Sequence, residues 1–263
     1  MVSRTPSKDT PMSYKDTPAW QMLRAAKKRA KRLHRKHRPL ARRNAVDKYV
    51  FIVTYGRSGS TLLQNLVGSL PGAHLLGENA GVPFKLAMAY KDATLIEDQQ
   101  GPWISLKTSP WFGAEFFSAD AFGQDCADLI HRHLLRPPRG TRIVGFKEIR
   151  WLDPDNDIDA AIAFLTKYFP KAYFVFNIRD PESTSRSGWW KDYKPEVAVA
   201  RITDMRDRLI AKAAELDNAV LADYDVFSQD PYALKPVIEF LGETFDPDTL
   251  ESVLGRKLDH TGV

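Results

Sequence analysis

Tyr49-Val-Phe-Ile-Val-Thr-Tyr-Gly-Arg-Ser-Gly-Ser-Thr-Leu-Leu63 passes from a near-continuous apolar run, through a glycine-bracketed polar turn, into an apolar-periodic segment. The run Tyr49–Val53 reads as a strand covered on both faces, and the period after the turn reads as a helix over Thr61–Leu70. Gly56-Arg57-Ser58-Gly59-Ser60-Thr61 between them has the chemistry of an anion cradle. Glycines let the backbone turn tightly and aim successive N–H groups inward, while the helix N-terminus adds its positive dipole end. Ser58, Ser60 and Thr61 add hydroxyl donors, and Arg57 adds a fixed charge with several N–H groups.

Outward from this segment, the apolar stretches Arg142–Phe146, Tyr173–Ile178 and Ala219–Ala222 read as further strands of the same kind. His74 enters one more strand. Helical patterns fall between them. Asp120–Leu135 stops before Arg136-Pro137-Pro138, Ile158–Tyr168 stops before Pro170, Pro195–Leu216 is the longest, and a last one runs from Asp230-Pro231 to Leu241 before Gly242. Alternation of strand and helix predicts an α/β fold, a parallel sheet flanked by helices, in one domain over 48–263. Residues 92–118 are rich in Gly, Pro, Trp and Phe without a clear period and read as a long functional loop or lid. No internal repeat is visible.

Of 263 residues, 43% are hydrophobic and 27% charged, enough for an ordinary core and too apolar for wholesale disorder. No apolar run approaches the roughly 18–20 residues that span a bilayer, and no signal-peptide core is present, so a soluble cytoplasmic protein is expected. The single cysteine, Cys126, excludes an internal disulfide and a thiolate zinc cluster, and the 6 histidines show no metal-ligand spacing. The net charge of +5 hides an asymmetry: residues 1–47 hold 14 Lys/Arg against 3 Asp/Glu, concentrated in Arg24 to Arg43. Two readings of this basic arm stand, a solvated mobile tail or a helix drawn to an anionic membrane surface, phosphate or nucleic acid. Ala19, Leu23, Ala26, Ala30 and Leu33 fall at helical spacing but are mostly alanine, so any such binding is electrostatic and salt-sensitive, peripheral to the membrane. No specific nucleic acid partner is expected.

The loop is not a Walker A motif, which requires a lysine before the Ser/Thr; here Gly59 precedes Ser60-Thr61 and the glycines are 3 apart. It resembles instead the 5′-phosphosulfate-binding loop of sulfotransferases that use 3′-phosphoadenosine 5′-phosphosulfate (PAPS), in the branch carrying R-S-G-[ST]-[ST], as in carbohydrate and tyrosylprotein sulfotransferases. A second segment agrees. Tyr173-Phe-Val-Phe-Asn-Ile-Arg179-Asp-Pro ends a strand in arginine and Ser187 follows 8 residues later, matching the pair that grips the donor's 3′-phosphate in that family. A third likeness, weaker, spans Leu221-Ala-Asp-Tyr224-Asp225 to Phe240-Leu-Gly242 and supports the fold only, with Asp225 where glutamate is usual. The resemblance covers roughly residues 48–245. It implies a P-loop-like α/β sulfotransferase fold, PAPS as co-substrate, 3′,5′-adenosine bisphosphate as product, and no metal.

Sulfuryl transfer needs a base for the acceptor and fixed cations for the leaving oxygen. In the tyrosylprotein type a glutamate follows the loop arginine by 21 residues, and Glu78 stands 21 after Arg57, so the resemblance implies Glu78 as base. His74 and Glu148 are the competing candidates. Lys147, in Lys147-Glu148-Ile149-Arg150 just past a strand, resembles a K-x-x-R element of carbohydrate sulfotransferases and would neutralise sulfonate oxygens. Trp189-Trp190, Trp103 and Trp111 offer faces for a sugar or for adenine. A saccharide or glycolipid acceptor is expected, with phenols and amines open, in a pocket drawn from residues 79–118 and 188–196. A small-molecule kinase and a non-catalytic nucleotide-binding adaptor are the alternative functions.

Overall fold

A computed structural model describes Met22, residues 39–98 and residues 105–254. The strands are β1 (Lys48–Val53), β2 (Ala73–Leu76), β3 (Ile143–Glu148), β4 (Ala172–Ile178) and β5 (Ala219–Asp223). They form one sheet in the order β2-β3-β1-β4-β5, every pair parallel. The pleat sends alternate residues of β1 to opposite faces. Tyr49, Phe51 and Val53 join Val144, Phe146, Phe174 and Phe176 in one core, and Val50 and Ile52 join Ile143 and Val175 in another. Helices cover both faces, which is why the central strands read as continuous apolar runs.

On the second face lie α1 (Ser60–Gly68), which buries Leu62, Leu63, Leu66 and Val67, and the C-terminal helices. The first face is covered by α2 (Val82–Glu97), α3 (Ala119–Leu129), α4 (Ile158–Tyr168) and the long helix Pro195–Ala214. Asp157 caps α4 by accepting the Ala160 N–H at 3.0 Å, and Ser118 caps α3 in the same way. Past Leu129 the chain winds as a π turn over Ile130–Leu135 and stops where Arg136 turns left-handed before Pro137.

Three expectations are corrected. Within the acceptor-pocket segment 79–118 lies α2, a regular 16-residue helix, and it takes up 92–97 of the expected 92–118 loop or lid. Its buried residues, Pro83, Phe84, Ala87 and Ala93, are offset by exposed Val82 and Leu95, so no single apolar stripe announces it. Next, β3 extends through Glu148, which places Lys147 within the strand and not past it. Finally, residues 40–47, grouped with the basic arm on charge, pack on the domain: Ala41 donates to Pro137 O at 2.9 Å and Arg43 to Tyr168 O at 2.6 Å. The compact unit starts at Leu40. Apart from Met22 and Pro39, the remainder of the basic arm lies outside the described residues, as does Trp103.

At the N-terminal edge of the sheet, Lys48 pairs with Glu243 at 2.7 Å and also reaches the Leu241 carbonyl. Arg142 joins the same carboxylate at 3.2 Å. This network ties the segment after the last sheet-covering helix to the starts of β1 and β3. Among the described residues, no helix is long and apolar enough to cross a membrane.

Candidate active site

The connection from β1 leads to β2, beyond β3, whereas that from β4 leads to β5 on the other side. The chain therefore parts between the C-terminal ends of β1 and β4 and leaves a crevice there, the usual ligand position of an open parallel sheet. The turn 54–59 fills one wall. Arg57 (φ 68°) and Gly59 (φ 76°) are both left-handed, and Gly59 caps α1, so the first N–H groups of that helix open toward the crevice. The glycines are required by contact as well. A Cβ on Gly56 would lie 2.2 Å from the Trp189 ring, and one on Gly59 would lie 2.0 Å from the Tyr224 ring.

The turn is braced from β4. Thr54 Oγ1 donates to Asn177 O at 2.9 Å, and Asn177 Nδ2 donates to Ser58 O at 3.0 Å. The Tyr55 hydroxyl donates to Arg179 O at 2.7 Å and accepts the Arg179 N–H at 2.9 Å. Burial pushes the Tyr55 phenol up to about 12, so it remains a protonated strut at neutral pH. From the far wall, Trp190 Nε1 donates to Gly56 O at 3.1 Å.

The resulting cleft, of about 280 Å³, is lined by Gly56, Arg57, Gly59, Ser60, Thr61, Glu78, Lys147, Arg179 and Ser187, together with Leu62, Ile149, Trp189 and Tyr224. All but one of the site residues anticipated from sequence thus meet here. Arg57 Nε donates to Ser187 Oγ at 3.1 Å, and its guanidinium lies 5.9 Å from the Trp189 ring centre. Arg179 stacks 4.6 Å over Tyr224 and donates to Arg57 O at 3.2 Å. Its Nε is buried with no hydrogen-bond partner and lies 3.8 Å from the Asp225 carboxylate. Lys147, on β3, places Nζ 2.6 Å from Glu78 Oε1 on the loop after β2.

Ser58 is the exception. It is fully buried, with Oγ 2.8 Å from Tyr55 O and 2.6 Å from Thr54 Oγ1, so its hydroxyl braces the turn and does not line the cleft. The two competing bases also leave the cleft. Glu148 is fully buried and accepts from the Asn79, Gly81 and Ile149 N–H groups and from Arg150. Burial works against its charge, yet those donors outweigh it and hold the carboxyl below the usual range. His74 places Nε2 3.0 Å from Leu135 O, at the π turn. Trp190 is buried, so of the adjacent pair only Trp189 offers a face to the cleft. Tyr224 and Asp225, read from sequence as fold support alone, flank Arg179. The signal was present, an acidic-aromatic end on a strand, but its contact with Arg179 is visible only in three dimensions.

The model of the sulfotransferase family matches residues 49–247. Among solved structures, the chain is similar to the sulfotransferase domain of the Synechococcus PCC 7002 olefin synthase, at 21% identity over 83% of this chain and 81% of that one, TM-score 0.53. It is also similar to sulfotransferase STF9 from Mycobacterium avium, at 14% identity over 92% and 74%, TM-score 0.45. Mouse sulfotransferase SULT7A1, complexed with PAP, matches at 12% identity over 81% and 64%, TM-score 0.44. A search of curated proteins found no match. The first of these likenesses places the five-stranded sheet in the α/β sulfotransferase fold.

Proposed function

Because the chain belongs to the sulfotransferase family, we propose that it moves a sulfuryl group from PAPS to an acceptor hydroxyl or amine in the cleft above β1 and β4. One observation carries this reading: Arg57, Arg179, Lys147, the N-terminus of α1 and the Glu78 carboxylate all line a single cleft. Three fixed cations and a row of backbone N–H groups suit a donor with two separated anionic ends. The Nε of Arg179, buried without a hydrogen bond and with the Asp225 carboxylate 3.8 Å away, is the kind of group a phosphate oxygen would satisfy.

In this reading Arg57 and the amides of Gly59, Ser60 and Thr61 hold the 5′-phosphosulfate, and Arg179 with Ser187 holds the 3′-phosphate. PAPS supplies the activated sulfuryl group. Lys147 is nearly buried, with a side chain 7% exposed, so its charge acts at close range in a poorly screened position. Glu78, 38% exposed, faces the space left for an acceptor and takes its proton. The exposed ring of Trp189 at the cleft supports a saccharide or glycolipid acceptor, which can stack on it. Incubation with PAPS and a saccharide panel, read by product nucleotide release and acceptor mass, tests the proposal. Nucleotide release coupled to acceptor sulfation supports it; absence of both with every acceptor class, saccharide, phenol and amine, counts against it.

A further inference from the structure

Glu78 sits in a short loop, and a general base is useful only if its carboxylate is held where the acceptor will be. The loop's own backbone does not supply that hold in the usual helical or ladder form. Ala80 (φ 58°) and Gly81 (φ 69°) are both left-handed, and the turn they make leaves the N–H groups of Asn79 and Gly81 converging on one point. The anion at that point is the side chain of Glu148. Its Oε2 accepts the Asn79 N–H at 2.9 Å and the Gly81 N–H at 3.1 Å, while Oε1 accepts the Ile149 N–H at 2.8 Å. Arg150 Nη1 donates to the same Oε1 at 2.7 Å and lies 3.5 Å from Glu78 Oε2. Glu148 has no exposed surface and adjoins Lys147 in β3. One carboxylate therefore fastens the residue after Glu78 to the residue after Lys147.

We propose that Glu148 is a positioning residue for the transfer: it fixes the Glu78 carboxylate against Lys147 and acts only through it. This inference rests on the reading of Glu78 as base. Glutamine at 148 keeps the shape but replaces one acceptor oxygen with an N–H₂ group that faces existing donors. A purely structural role in holding the loop would lower stability and leave the kinetics of the folded enzyme untouched. A positioning role lowers kcat.

The test compares Glu148→Gln, Glu78→Gln and the double variant in steady-state kinetics and in calorimetric titration with 3′,5′-adenosine bisphosphate. The expected result for Glu148→Gln is a kcat loss of about 10–100-fold with product-nucleotide affinity within about twofold of wild type. The double variant should be no slower than Glu78→Gln, because both changes disable one group. Glu148→Gln turnover at the wild-type rate, or losses that multiply in the double variant, would overturn the inference. Full activity in Glu78→Gln would instead overturn the base assignment. Should Glu148→Gln not fold, Glu148→Asp, which keeps the charge but shortens the reach to the Asn79 and Gly81 amides, takes its place in the same kinetic cycle. A kcat loss that does not multiply with Glu78→Gln is again expected, and turnover at the wild-type rate would overturn the inference.

Discussion

Lys147 Nζ lies 2.6 Å from Glu78 Oε1, a contact between the end of β3 and the loop that leaves its neighbour β2. The two side chains differ in setting, since the lysine is 7% exposed and the glutamate 38%. The lysine is thus a nearly buried feature of the cleft wall, and the carboxylate is the more solvent-facing partner of the pair. In the proposed transfer a sulfonate drawn to Lys147 would share its ammonium with Glu78, which stays held beside it to accept the acceptor's proton.

Glu78→Gln keeps the size and polarity of the side chain but cannot accept a proton at neutral pH. Turnover should fall by roughly 10²–10⁴-fold, the range for removing general-base catalysis. Titration with 3′,5′-adenosine bisphosphate should give an affinity close to wild type, since in the proposed reading this group faces the acceptor and not the nucleotide. Near-normal turnover would remove Glu78 from the chemistry.

The serines of the turn should separate by role. Ser58→Ala removes a hydroxyl buried between Thr54 and the Tyr55 carbonyl and should lower stability by about 1–2 kcal/mol in denaturant unfolding. Ser60→Ala, at the helix N-terminus lining the cleft, should leave stability near wild type and weaken product-nucleotide binding by about 3- to 10-fold. The reverse pattern would place Ser58 on the ligand.

The Lys48–Glu243–Arg142 network should make stability depend on pH in a definite direction. Burial raises the Glu243 carboxyl, but hydrogen bonds from Lys48 and Arg142 outweigh it, and the net shift is downward from 4.5. A depressed carboxyl stabilises the fold above its unfolded value, and this contribution is lost as pH falls through the folded value. Glu243→Gln should therefore cost about 2 kcal/mol at neutral pH. In thermal melts the gap to wild type should narrow progressively below about pH 4.5. A gap that stays constant or widens in acid would contradict the assignment.

Arg57, Lys147 and Arg179 bring fixed positive charge to this cleft, a contribution that magnesium makes in phosphoryl transfer. Sulfuryl transfer should survive excess EDTA. Activity lost to chelator and restored by magnesium would favour the kinase alternative.

Much of the fold was legible because its deciding chemistry is local. Tyr49–Val53, the glycine turn and the helix after it follow one another without a gap, and each step reads from its own residues. Arg179 and Ser187 were legible through a resemblance that pairs them with the turn. Helix α2 was not, because its buried residues do not fall on one stripe. Within the site, the sequence does not distinguish neighbours whose fates depend on backbone direction. Trp189 and Trp190 are adjacent and identical, yet one faces the cleft and the other braces Gly56 from within. Lys147 and Glu148 part in the same way across the pleat, and the left-handed turn at Arg57 and Gly59 separates Ser58 from Ser60.

The central claim is that Arg57 and Arg179 form the two ends of one donor site, and the binding of 3′,5′-adenosine bisphosphate to wild type and Arg179→Ala, measured by calorimetry in EDTA, tests it most directly. The account predicts one nucleotide per chain without metal, and an affinity at least about 10-fold weaker in the folded variant, about 1.5–3 kcal/mol for a lost charge-assisted contact. Unchanged affinity in Arg179→Ala, or wild-type protein that ignores this nucleotide and binds ATP only with magnesium, would contradict it.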